Sequence, residues 1–173
     1  MRARRLTISD ADAFKNLRLY ALKTEGRYFS ASLEQEASYS AAQWAELCRE
    51  TPEKCVFGLF DGKRLVGFMM ARRQDENTAY WGSAYIHPDY RGRGLGRSLY
   101  ALREEWTRER GFTRAVFNFF DHCSRSRAIH VSRGARYTHT QGNLHWYEVD
   151  IPPVPERPAV CRETAREAIP AWP

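Results

Sequence analysis

What this chain lacks narrows it first. No apolar run comes near the ~20 residues that a bilayer-spanning helix needs, so no membrane partner is expected. Arginines stand near the start, but no apolar stretch follows them, and a secretory signal is not expected. Cysteine is scarce. The four, Cys48, Cys55, Cys123 and Cys161, include no Cys-x-x-Cys pair. That spacing excludes the usual zinc and thioredoxin-type motifs and leaves reduced, partly buried thiols, as in a cytoplasmic protein. No metal is expected. Proline is nearly missing from the first 151 residues, since six of the eight prolines come later. There is no internal repeat, no dense Lys/Arg tract and no nucleic-acid motif, so nucleic acid is not expected as a partner.

What is present suits one domain with a genuine core: 173 residues, 43% of them hydrophobic and 13% aromatic. The net charge of +6 fits an anionic ligand. Most of the basic residues are interleaved with acids and read as solvated surface. Residues 1–150 read as the folded domain and 151–173 as a proline-rich tail, an extended wrap or a partly disordered segment that adds little regular structure. Trp172 is the one large anchor near its end.

Local patterns give the element order. A short strand at Arg4–Ile8 leads into a helix capped by Ser9 or Asp10 and running to about Lys23, with Phe14, Leu17, Ala21 and Leu22 at helical spacing. Ser32-x-x-Gln35 and Ser40-x-x-Gln43 have the form of capping boxes and predict two short helices. A meander follows: Cys55–Phe60, the turn Asp61-Gly62, Arg64–Arg73 and Thr78–His87. Then come a helix over Arg97–Arg110, a strand over Thr113–Phe120, a short helix over Ser124–Arg133 and a final strand pair, Tyr137–Gln141 and Leu144–Asp150.

The most informative stretch is Tyr90–Gly96, Tyr-Arg-Gly-Arg-Gly-Leu-Gly, between a strand and a helix start. Glycines remove the Cβ atoms that would keep a ligand off the backbone. The first N–H groups of a helix lack intrahelical partners, and the helix dipole adds positive potential at the same place. Arg91, Arg93 and Arg97 add full charges, so a diphosphate is the expected occupant. A Walker loop needs a glycine five residues before Gly96, where Arg91 stands, and Gly96 is followed by Arg97-Ser98. A dinucleotide fingerprint needs Gly-x-Gly-x-x-Gly, whereas Gly92, Gly94 and Gly96 are one residue too closely spaced. The pattern that fits is Gln/Arg-x-x-Gly-x-Gly/Ala, filled by Arg91, Gly94 and Gly96.

That pattern, within Tyr85-Ile-His-Pro-Asp-Tyr-Arg-Gly-Arg-Gly-Leu-Gly96, resembles the coenzyme A loop of the GNAT N-acetyltransferase superfamily. The resemblance covers about Arg2–Asp150. It implies an α/β (α+β) acyl-CoA N-acyltransferase fold, with a mixed, mostly antiparallel central sheet flanked by helices. It implies acetyl-CoA as co-substrate and direct transfer to an amine without an acyl-enzyme, and it leaves monomer and homodimer open. It assigns cofactor binding to Tyr85, Ile86, His87, Arg91, Gly92, Arg93, Gly94, Leu95, Gly96, Arg97, Ser126 and His130. A backbone N–H near Ile86 would polarise the thioester carbonyl.

Counting back from Gly134 puts His130 where the family often has a tyrosine that protonates the departing thiolate. Cys123 stands where asparagine is usual. His130 would donate a proton or simply hydrogen-bond sulfur. Glu76 and Tyr85 are the other catalytic candidates, and neither is singled out as base. Phe29, Glu34, Trp44, Asn118 and Trp146 are the candidate acceptor-binding residues, since carboxylates with aromatic walls suit a cationic amine. The acceptor itself stays open among polyamine, amino sugar, amino acid and peptide. A protein acceptor and a non-catalytic coenzyme A-binding module are the competing readings.

Overall fold

The computed structural model describes residues 1–153. Along the chain come β1 (Arg2–Arg5), α1 (Ala11–Glu25), the short helices α2 (Leu33–Ala37) and α3 (Ala41–Cys48), β2 (Lys54–Asp61), β3 (Arg64–Arg73) and β4 (Thr78–Ile86). The second half holds α4 (Gly96–Glu109), β5 (Arg114–Phe120), α5 (Ser124–Val131), β6 (Arg136–Gln141) and β7 (Leu144–Asp150). The strands form one seven-stranded sheet in the order β1-β2-β3-β4-β5-β7-β6. Every neighbouring pair is antiparallel except β4 with β5. This is the mixed sheet that the resemblance implies. The proline-rich tail, with Cys161 and Trp172, lies outside the described residues beyond Pro153.

Both expected capping boxes are placed as helix starts. Ser32 accepts from the Gln35 N–H, and Ser40 and Gln43 cap each other at α3. The first helix begins differently from expectation. Thr7 leads a single helical turn into α1, and Asp10 does not cap α1 with its side chain. The reason is competition: the Asp10 carboxylate accepts two bonds from Arg4 at 2.7 Å and one from the Thr7 N–H at 2.8 Å. That network also ends β1 earlier, at Arg5 rather than Ile8.

Helices cover both faces of the sheet, which is why Cys55–Phe60 is buried throughout rather than on alternate residues. On one face Phe14 and Trp44, from α1 and α3, pack with Leu6, Phe68 and Tyr85. On the other, Leu99, Tyr100 and Trp106 of α4 pack with Phe57, Trp81, Phe117 and Tyr147. Arg18 of α1 and Glu36 of α2 form a buried bidentate pair at 2.7 and 2.8 Å, so this acidic residue ties two helices together and is not free for a ligand.

Candidate active site

The site begins as a break in the sheet. β4 and β5 pair only through Thr78–Tyr80 and Arg114–Val116. Beyond Tyr80 they diverge. β4 carries a bulge there, since Met69 faces Ala84 while Met70 faces Gly82, leaving Ser83 as the extra residue. A bulge bends its strand and sharpens its twist. β5 meanwhile stays paired with β7 over its whole length and cannot follow. At the far end of β4 the His87 N–H donates to Val66 of β3. By strand alternation the polar groups of Ile86 face away from β3. Its carbonyl accepts from Arg91 Nε at 2.7 Å, and its N–H points to the same side, into the gap.

The gap opens into a cleft of about 1590 Å³ walled by β4, the glycine loop, α4, β5, α5 and the segment after α1. At its head, Gly92 and Gly94 have φ of 76° and 70°, which L-residues with a side chain rarely adopt. A Cβ on Gly92 would meet nothing within 4 Å, so the open side of the loop is available to a ligand. Among the described residues, the N–H groups of Gly92, Arg93, Gly94 and Leu95 have no acceptor, while the Arg97 N–H is used by the Gly94 carbonyl. Four unfilled donors in a loop with left-handed glycines, opening α4, make a cradle for a diphosphate. The donor set therefore fits coenzyme A.

The cleft is rich in arginine. Arg27, Arg91, Arg97, Arg103, Arg125 and Arg133 line it, and Glu25 is its one carboxylate among the described residues. Glu25 is itself held by Arg91 Nη2 at 2.8 Å from both oxygens. His130 is 6% exposed and lies against Phe117 and Phe119. Its Nδ1 stands 2.9 Å from the Ser126 carbonyl, which can only accept, so Nδ1 carries the proton. Nε2 is then the acceptor facing Arg103 Nη2 at 3.3 Å. Burial first, and the Arg103 charge second, push His130 down to about 4. Burial likewise raises the hydroxyls of Tyr85 and Tyr100.

The structure brings many of the expected residues to this cleft. Tyr85, Ile86, Arg91, Gly92, Gly94, Leu95, Gly96, Arg97, Ser126 and His130 line it, as do Phe29 and Asn118. Asn118 donates to the Tyr80 hydroxyl at 3.3 Å across the narrow end of the gap.

Others are elsewhere. His87 stacks on Tyr20, and Arg93 turns back to the Asp89 carbonyl. Glu76 is exposed in the turn before β4, at the end where β4 and β5 are still paired. Glu34 is exposed on α2, and Trp44 is 1% exposed inside the α1–α3 core. Trp146 packs beside Tyr80 and His139 on β7 without lining the cleft. Of the acidic residues on α2, Glu36 is bonded to Arg18 and Glu34 faces solvent.

Reading the sequence missed Glu25, Arg27 and Arg103. Arg103 had a usable signal. It shares an apolar helical face with Leu99, Tyr100 and Trp106, where a charged residue is out of place. Among the described residues, no group of three or more His, Cys, Asp or Glu is placed to hold a metal ion, and no helix is long and apolar enough to cross a membrane.

Known structures share this architecture. The PaiA N-acetyltransferase from Thermoplasma acidophilum, solved in complex with coenzyme A, superposes with a TM-score of 0.71 at 18% identity, over 86% of this chain and 98% of its own. A GNAT-family acetyltransferase from Streptococcus pneumoniae gives 0.71 at 13% identity, over 87% and 99%. The ribosomal-protein-S18-alanine N-acetyltransferase from Escherichia coli gives 0.64 at 17%, over 90% and 96%. At these identities the likeness is one of fold. Among curated proteins, none matches this sequence. A family model described as the acetyltransferase (GNAT) family matches residues 17–133, from α1 through α5 and including the glycine loop and both walls of the gap. With that match over most of its length, the chain belongs to the GNAT family of acetyltransferases.

Proposed function

We propose that the chain uses acetyl-CoA to acetylate the primary amine of a small molecule, by direct transfer and without an acyl-enzyme. The observation that carries this reading is the gap between β4 and β5, headed by four unfilled N–H donors. The loop would grip the diphosphate, and the thioester arm would lie in the gap. The Ile86 N–H would polarise the thioester carbonyl as negative charge develops on it. Cys123 borders the cleft, but its thiol is raised by burial, and among the described residues no His, Asp or Glu side chain is hydrogen-bonded to it, which disfavours a covalent relay.

The acceptor enters from the side formed by Tyr28, Phe29, Asn118, Phe120 and His122. His122 Nε2 donates to the Arg27 carbonyl at 2.9 Å and spans this mouth. With Glu25 already neutralised by Arg91, this wall has no free carboxylate for a polyamine among the described residues. An amine whose remainder is aromatic or anionic suits it better. The amine nitrogen would lose its proton to water, since no free carboxylate faces the gap among the described residues. The three described cysteines are free thiols, which suits a cytoplasmic setting.

A second reading, acetylation of a protein N-terminus, draws support from the neighbour named for the ribosomal protein S18 alanine. The test is release of free thiol from acetyl-CoA by the purified protein with a panel of amino acids, arylalkylamines, polyamines and short peptides. Turnover with carboxylated or aromatic amines is expected. Turnover confined to peptides would establish the second reading. Tight coenzyme A binding without turnover on any amine would leave a binding module instead.

A further inference from the structure

Arg103 is the least ordinary residue of the cleft. It is 1% exposed, yet no carboxylate among the described residues pairs with it. Its guanidinium carbon lies 4.3 Å from the Trp81 ring centroid and 5.1 Å from that of Tyr100. Nη2 faces His130 Nε2 at 3.3 Å, and Nε is buried without a partner. Burial lowers it only to about 10, so it stays charged at neutral pH. Among the described residues, the other charge acting on it is also positive, Arg133, which lies 4.1 Å from the Tyr100 ring. Burying a cation without a counter-ion is costly, so buried charges are normally paired. Aromatic faces and a neutral imidazole offset part of that cost. A binding anion would supply the rest.

The position says which anion. Trp81 and Phe117 are the first residues beyond the last paired positions, Tyr80 and Val116, and their rings stack 5.9 Å apart. Arg103 lies over Trp81, so its charge sits at the floor of the gap. Its Cα is two turns along α4 from Gly96, about 10 Å beyond the diphosphate cradle. The cradle has its own donors. What reaches the floor is the far end of the arm, where the sulfur is.

Resting on the transferase reading above, we propose that Arg103 is a catalytic residue whose guanidinium, steered by His130, is the counter-charge for the coenzyme A thiolate. In the transfer, the amine lone pair forms the C–N bond, the C–S bond breaks, and its electron pair leaves on sulfur. The proton lost by nitrogen goes to water. The thiolate departs unprotonated against Arg103 and takes a proton from solvent after leaving the cleft. His130 does not supply that proton. Its single N–H is committed to Ser126, and its other nitrogen accepts from Arg103. It is a positioning residue that fixes where the guanidinium points.

The decisive measurement is the thiol pKa of bound coenzyme A, read from the pH dependence of its affinity relative to desulfo-coenzyme A, which lacks the sulfur. In wild type it should fall by at least about one pH unit. Arg103→Met should abolish that fall and lower kcat on acetyl-CoA by about 100-fold, with desulfo-coenzyme A affinity unchanged. Arg103→Lys should restore part of both. His130→Gln, which keeps an acceptor for Arg103, should retain the lowered thiol pKa, and His130→Phe should lose it.

A bound thiol that titrates as in free coenzyme A would overturn the proposal without recourse to any variant. So would an Arg103→Met protein that turns over acetyl-CoA normally and is impaired only with succinyl-CoA, since the anion would then be an acyl carboxylate. A wild-type protein that neither binds coenzyme A nor releases thiol would instead remove the transferase reading itself.

Discussion

Arg91 bonds the Ile86 carbonyl through Nε at 2.7 Å and both oxygens of Glu25 through Nη2 at 2.8 Å. The arginine that marks the glycine loop in the sequence therefore spends its side chain on the protein. It clamps the end of α1 to the end of β4 and offers the ligand mainly its place in the backbone. A half-exposed ion pair of this kind adds little to global stability, but it sets the aim of the Ile86 N–H. Arg91→Ala should weaken coenzyme A binding by about tenfold and lower kcat, while stability falls by no more than about 1 kcal/mol. Isothermal titration and denaturant unfolding measure the two separately. A large stability loss with unchanged affinity would show the clamp to be purely structural.

Coenzyme A at about 100 times its Kd should stabilise the wild type by about 3 kcal/mol. Gly94→Val should remove that gain, because φ at this position is 70° and a β-branched residue cannot hold it. The comparison is the thermal midpoint of each protein with and without ligand. Equal ligand-induced rises would mean that the diphosphate lies elsewhere.

His130 makes a pH-dependent contribution with a definite sign. Its folded value, about 4, lies below its ordinary 6.5, so on acidification the unfolded chain binds the proton first. Stability from this group is complete above pH 6.5 and drains away toward pH 4, by roughly 3 kcal/mol in all. His130→Gln should flatten that part of the stability profile. Urea unfolding of both proteins at several pH values tests it, and parallel profiles would mean that the imidazole is not buried neutral.

Two expected site residues should behave as bystanders. Glu76→Gln should leave kcat and KM at wild-type values, since Glu76 lies in an exposed turn away from the cleft. Trp44→Ala should cost about 3–5 kcal/mol of stability through the cavity it leaves. At temperatures where that variant is folded, its affinity for coenzyme A should be unchanged. A tenfold loss of turnover in Glu76→Gln would restore it as a base.

Element order and the left-handed glycine loop were legible in the chain because both are written in neighbouring residues. Ser32 with Gln35 and Ser40 with Gln43 cap their own helices, and Gly92 and Gly94 permit left-handed backbone whatever surrounds them. Asp10 shows where that reading fails. Its side chain does not cap α1: it closes a capping box with Thr7 one turn earlier and pairs with Arg4, a residue on a strand rather than in its own helix. Glu36 shows the same limit. Whether Glu36 meets a substrate or Arg18 depends on how two helices pack, and no spacing within α2 encodes that.

By itself the sequence determined the glycine cradle, the strand and helix order, and so the family of chemistry, because backbone donors and local propensities are set over a few residues. The tertiary structure alone decided that His130 is a neutral acceptor and that Arg103, 27 residues away, is a buried unpaired charge. Protonation and counter-charge depend on desolvation, and desolvation is a property of the surfaces that meet when the sheet opens between β4 and β5.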